Sequence, residues 1–194
     1  DARGIRVHAI DLLPRLLPWL PQEMADIVGK ELADHNVETT FGVKLEALEA
    51  SGGKLKAVLD RGEVVVDFVL MAIGVAPNSQ LAEYAALDLG PKKAIAVDKT
   101  LRTSNPDIYA AGDCADAFHI VSGQRVWIPL ALRANRAGWA VADNITGSET
   151  TVEGVAGTAV FKVMGLEVAR SGLSLQEAVD AGFKPVEVVI KSRS

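Results

Sequence analysis

Hydrophobic residues along this chain change period several times, and each change predicts an element. Ile5, Val7 and Ala9 alternate with polar neighbours in front of Asp11, which predicts a short strand ending in an acid. Pro14, Pro18 and Pro21 exclude helix interior until Gln22, and Leu20, Met24, Ile27, Val28 and Leu32 then follow at helical spacing. Residues 37–41, 44–50, 54–60 and 63–73 are β-rich, and Ser51-Gly52-Gly53 has the chemistry of a tight hairpin turn. The middle of the chain is therefore expected to be an antiparallel meander feeding one buried strand. Gly74-Val75-Ala76-Pro77-Asn78 ends that strand.

Further on, residues 81–87 suit a short helix, and residues 94–97 and 108–111 suit short strands. Pro129 is expected to open a helix with Leu130, Ala134, Ala137, Val141 and Ile145 on one face, terminated within residues 144–148. Strands are expected at 158–164, 166–171 and 186–190, with a helix over 175–181. This last third has its own α+β rhythm, which puts a domain boundary near residues 147–154. The fold class is α/β.

The 194 residues permit a full core, with 49% hydrophobic and 23% charged residues excluding a disordered chain. A net charge of -5 gives no global reason to approach nucleic acid or an anionic membrane. The longest apolar run, at residues 64–73, is too short to span a bilayer and contains Asp67. One cysteine, Cys114, excludes an internal disulfide and fits a reducing, cytoplasmic setting. Asp1-Ala2-Arg3-Gly4 reads as neither a natural start nor a targeting peptide, so the chain is expected to be a fragment.

Three local settings carry candidate chemistry. Asp11 ends a strand, where a dinucleotide-binding βαβ unit puts an acid on the adenosine ribose. The matching glycine-rich loop would precede it by about 20 residues, so either that loop lies before residue 1 or Asp11 is an ordinary strand-end residue. Asp113 follows Gly112 at a strand's carboxyl end, either to hold a polyhydroxyl ligand or as simple turn chemistry. The helix start at Pro129 offers free N–H groups to a partial negative charge, as any such helix would. Arg133, Asn135 and Arg136 add polar groups there, although arginines on a helix usually face solvent. His8, His35 and His119 lack metal-ligand spacing, so no metal is expected. Cys114 has no basic neighbour and reads as structural.

The order of these pieces resembles the pyridine nucleotide-disulfide oxidoreductases. It runs from the strand ending in Asp11 followed by LLPRLLPWLPQEMADIVGKEL, through VLMAIGVAPN and TSNPDIYAAGDCAD, to WIPLALRANRAGWAVADNITG. The closing segment GTAVFKVMGLEVARSGLSLQEA is similar to the start of the interface domain in the branch of coenzyme A-disulfide reductases and NADH oxidases. The resemblance implies parts of two Rossmann-like domains and a dimerisation domain. Residues 1–74 would be the latter part of the NAD(P) domain, 75–149 the returning part of the FAD domain, and 150–194 a truncated α+β interface domain.

It further implies FAD and NADH, or NADPH, as cofactors, with electrons passing to a disulfide, coenzyme A disulfide or oxygen in a homodimeric parent enzyme. Gly112 and Asp113 resemble the flavin ribityl site, and Pro129, Leu130 and Ala131 the helix start facing the flavin ring. Asp11 resembles the ribose acid, Ile73 and Gly74 the turn beside nicotinamide, and Asn135 a substrate contact. The family's redox cysteine is missing from this chain, so no catalytic residue is expected within it and the isolated chain is expected to be inactive. A ferredoxin- or rubredoxin-type reductase without redox cysteine, or a non-catalytic nucleotide-binding or dimerisation module, are the alternative readings.

Overall fold

The structure, a computed structural model, describes residues 4–192; residues 1–3, which carry most of the atypical start, lie outside the described residues. Two compact units form. One contains the chain up to Ile73 together with Val160–Ala169, and the other contains Gly74–Ala159 and the chain from Arg170 onward. Among the described residues no helix is long and apolar enough to cross a membrane.

In the first unit, strand β1 (Val7–Asp11) pairs in parallel with β2 (Val37–Phe41), joined by helix α1 (Gln22–Asp34). Residues 37–41 thus leave the meander and complete a βαβ unit, placing Asp11 opposite Phe41 at the strands' carboxyl ends. Met24 and Ile27 are exposed, whereas Ala25 and Val28 are buried with Leu20 and Val168. Small residues face inward here because Trp19, Phe161 and Val163 fill the space around them. Trp19 and Phe161 meet edge to face at 6.0 Å.

The meander itself is β3 (Leu45–Ser51), β4 (Lys54–Leu59) and β5 (Gly62–Val66). Gly52 and Gly53, at φ of 58° and 82°, form its two-residue turn with Ser51 paired to Lys54. The buried strand expected up to Ile73 stops at Val66. Phe68, Leu70 and Ile73 are exposed, because no described strand offers that run a ladder partner.

The second unit holds α2 (Gln80–Tyr84), a 3-10 turn at Pro91–Lys93, a two-stranded ribbon of β6 (Ala117–Phe118) and β7 (Arg125–Val126), and α3 (Ala131–Ile145). Residues 94–97 and 108–111, expected as strands, make only single bridges, Ile95 with Leu89 and Ala115, and Tyr109 with Arg102. Their ladders do not extend because loops flank each bridge. The hairpin of β8 (Ala159–Val163) and β9 (Leu166–Arg170) belongs almost wholly to the first unit, and α4 (Leu175–Asp180) to the second. Ser174 and Glu177 form a capping box at the start of α4. The strand expected at 186–190 does not form; Val186 and Ile190 are exposed and unpaired by any described strand.

Lys92 adopts φ 54° and ψ 25° inside the 3-10 turn. A left-handed backbone costs an L-residue roughly 1–2 kcal/mol, part of which glycine returns through its freer unfolded chain. Lys92→Gly is therefore expected to stabilise the protein by about 0.5 kcal/mol, read as a higher urea midpoint at unchanged slope.

Candidate functional site

The second unit's chemistry centres on loop 111–116. Gly112 has φ 90°, a conformation that favours glycine. The loop is pinned on several sides. The Cys114 carbonyl accepts from Ile95 N–H at 2.8 Å, the Asp113 carbonyl from Trp127 Nε1–H at 2.7 Å, and Asp116 N–H donates to the Ile95 carbonyl at 2.9 Å. The Cys114 thiol donates to the Ala111 carbonyl at 3.4 Å and is half-buried, a structural role. Among the described residues the Asp113 carboxylate accepts no hydrogen bond, and the residue is exposed. Every anchor uses backbone atoms, so the carboxylate stays available to a ligand.

Beneath it lies Asp116, fully buried. One oxygen accepts from Val97 N–H at 3.0 Å, and Arg125 Nη1 donates to both oxygens at 3.0 and 2.8 Å. Arg125 also donates to the Val97 carbonyl and sits 4.8 Å from the Phe118 ring centre. A Cβ on Gly90 would fall 2.3 Å from Asp116 Oδ2, so only glycine leaves room for this carboxylate.

Helix α3 starts two residues later than Pro129 suggests. Leu130 is its N-cap, contributes no side-chain cap, and Ala131 is the first helical residue. Pro129 fixes the approach but contributes no helical position. The first turn contains no acid and Ala131 and Leu132 are exposed, which leaves the helix's first N–H groups open to an external acceptor. The buried stripe runs through Arg133, Ala137, Ala140 and Asn144, not through Ile145, which is 66% exposed. Small residues let the helix approach loop 111–116 closely, and Asn144 is consumed by the Thr100 and Thr150 backbone.

Arg133 overturns the solvated-face expectation: it is buried, and its guanidinium donates to the carbonyls of Gly112 at 3.2 Å, Ala115 at 3.0 Å and Asp116. Asn135 and Arg136 are exposed. Gly112, Asp113, Leu130 and Ala131 are thereby brought to one place, the loop and the helix start being tied by Arg133. Asp116 and Arg125, and the buried role of Arg133, were missed in the sequence because their partners lie far along the chain. An aspartate three residues after Gly-Asp was the available signal.

Elsewhere in this unit Gly74 has φ 87° and open space around it. In the first unit Ile73 is 85% exposed and Asp11 is exposed at the end of β1, one carboxylate oxygen accepting Leu13 N–H at 2.9 Å. Arg15, four residues after Asp11, is held by its own bonds: its Nη2 donates to the carbonyls of Pro18 at 2.6 Å and Leu20 at 3.0 Å. Among the described residues no group of three or more His, Cys, Asp or Glu side chains could hold a metal.

A family model described as pyridine nucleotide-disulphide oxidoreductase matches residues 1–138. The chain is 35% identical over 193 residues to a CoA-dependent NAD(P)H sulfur oxidoreductase of Pyrococcus furiosus, covering 99% of this chain and 43% of that protein. It is 35% identical over 190 residues to an NADH oxidase of Methanocaldococcus jannaschii, covering 97% of this chain and 41% of that protein. The solved NAD-dependent persulfide reductase from A. fulgidus superposes with a TM-score of 0.84 at 36% identity, covering 92% of this chain and 34% of that one. The chain thus spans less than half the length of these relatives.

Proposed function

The chain belongs to the pyridine nucleotide-disulphide oxidoreductase family, and from that premise we propose that it is part of a flavoenzyme that takes electrons from NAD(P)H. The acceptor is a disulfide, coenzyme A disulfide or oxygen, a reading supported by relatives named as a CoA-dependent NAD(P)H sulfur oxidoreductase and an NADH oxidase. Residues 1–74 would serve the nicotinamide nucleotide, 75–149 the flavin, and 150–194 a homodimer interface. The protein would work in the cytoplasm.

The observation that carries the flavin reading is an exposed Asp113 carboxylate that accepts no hydrogen bond among the described residues, on a loop whose Gly112 carbonyl is tied by Arg133 to a helix start with no side-chain cap. That donor set fits FAD: a carboxylate for ribityl hydroxyls and backbone N–H groups for the electron-rich edge of the ring. FAD, when bound, supplies the two-electron chemistry between nicotinamide and acceptor. Gly112 lets the backbone turn where the ligand lies, Asp113 orients it, and Ala131 with Leu132 present N–H groups to it. Pro129 sets the direction in which the chain enters the helix. Ile73 and Gly74 would border the nicotinamide, Asp11 its adenosine ribose, and Asn135 the acceptor.

In the full-length protein, Asp113→Ala is expected to weaken FAD binding by about ten- to a hundredfold, the loss of a charged hydrogen bond worth about 1.5–3 kcal/mol. Flavin fluorescence titration of the apoprotein measures this. Unchanged affinity and occupancy would remove Asp113 from the site.

A further inference from the structure

Arg133 occupies a position that fold stability alone disfavours. It is the third residue of α3, where the positive end of the helix repels a cation, and it is only 8% exposed. Burial pulls its guanidinium below its ordinary pKa, while the Asp116 and then the Asp113 carboxylates act in the opposite direction. The side chain nevertheless stays charged, because arginine does not lose its proton in proteins. It faces the carbonyls of Gly112, Ala115 and Asp116. Asp116 is already engaged by Arg125 through both of its oxygens. Arg125 thus pairs with the Asp116 carboxylate, whereas Arg133 is bonded to backbone carbonyls alone and brings a buried positive charge to the first turn of α3. A local rule broken twice at one residue is where function is to be sought.

We propose that Arg133 is a positioning residue of the flavin site, clamping loop 112–116 to the first turn of α3 and adding buried positive charge behind the open N–H groups of that turn. This rests on the flavin reading above. The two contributions are separable. The clamp sets the spacing between Asp113 and the helix start and so governs affinity for the cofactor in either redox state. The charge favours the more negative, reduced form and so governs the potential.

The test uses the full-length flavoprotein with Arg133→Met and Arg133→Lys, reading the FAD dissociation constant, the two-electron midpoint potential and the thermal midpoint. Arg133→Met is expected to weaken FAD binding about tenfold, and to weaken binding of the reduced form by about a further tenfold, which lowers the potential by about 30 mV. Arg133→Lys keeps the charge, but one ammonium cannot span three carbonyls. It is expected to hold the wild-type potential while keeping most of the affinity loss. Variants that melt earlier yet show wild-type affinity and potential would reduce Arg133 to a structural residue and overturn the proposal. Should Arg133→Met fail to fold, Arg133→Lys decides: weaker affinity at unchanged potential supports the clamp, and wild-type affinity overturns it. A wild-type protein that takes up no FAD overturns the flavin reading itself, an outcome distinct from a flavin-binding wild type with indifferent variants.

Discussion

Asp116→Ala is expected to destabilise the second unit by about 3 kcal/mol, the largest effect of any single substitution there. Removing the carboxylate strands the Val97 N–H and leaves Arg125 facing a void, and an unpaired buried donor alone costs about 1–3 kcal/mol. The estimate sits at the lower end for broken buried pairs because the Arg125 side chain is 39% exposed and can turn towards water. Asp116→Asn, which keeps the volume and one acceptor oxygen, should cost about half as much.

Gly90→Ala attacks the same carboxylate from the other side. Its Cβ would sit 2.3 Å from Oδ2 and 3.1 Å from Cγ, and an overpacked site of this kind costs about 1–3 kcal/mol. The two substitutions share one volume, so they should not add. In the Asp116→Ala background Gly90→Ala is expected to be almost free, a coupling of about 1–2 kcal/mol in a double-mutant cycle of urea midpoints. Additive costs would show that Gly90 is constrained by something other than Asp116.

What could be read from the sequence follows the range of each interaction. The hairpin at Gly52-Gly53 depends on neighbours within a few residues, so turn chemistry reveals it, whereas the parallel pairing of β1 with β2 joins residues 30 positions apart, and β2 reads instead as part of the meander. Gly112 and Asp113 were visible for the same reason. The contacts that hold them were not. Arg133 reaches carbonyls 17 to 21 positions earlier, and Asp116 accepts from Val97 19 positions earlier, separations at which no periodicity survives. Helix α3 misleads because its buried stripe is made of arginine, alanine and asparagine, so its most hydrophobic face is not the buried one. Residues 68–73 mislead in the opposite sense. Their composition is that of a buried strand, but a strand also needs a partner with which to share its hydrogen bonds, and composition cannot supply one.

The second large effect concerns the nucleotide. The full-length protein is expected to prefer NADH to NADPH, because Asp11 is exposed at the carboxyl end of β1, where an acid accepts from a ribose 2′-hydroxyl and repels a 2′-phosphate. The competing cation is removed from consideration by its own bonds. Arg15 spends Nη2 on the Pro18 and Leu20 carbonyls, anchoring the turn that leads into α1, and so is not free to swing towards a phosphate beside Asp11. Asp11 in turn accepts Leu13 N–H on one oxygen, and its other oxygen accepts no hydrogen bond among the described residues. Asp11→Ala should therefore cut the NADH-to-NADPH ratio of kcat/KM by about ten- to a hundredfold, chiefly by relieving the penalty on NADPH, in line with about 1.5–3 kcal/mol for a charged hydrogen bond. Arg15→Ala should leave the ratio unchanged while lowering stability through the freed carbonyls. A parent that already favours NADPH, or a ratio that moves with Arg15 and not with Asp11, would transfer the reading of the ribose from the acid to the arginine.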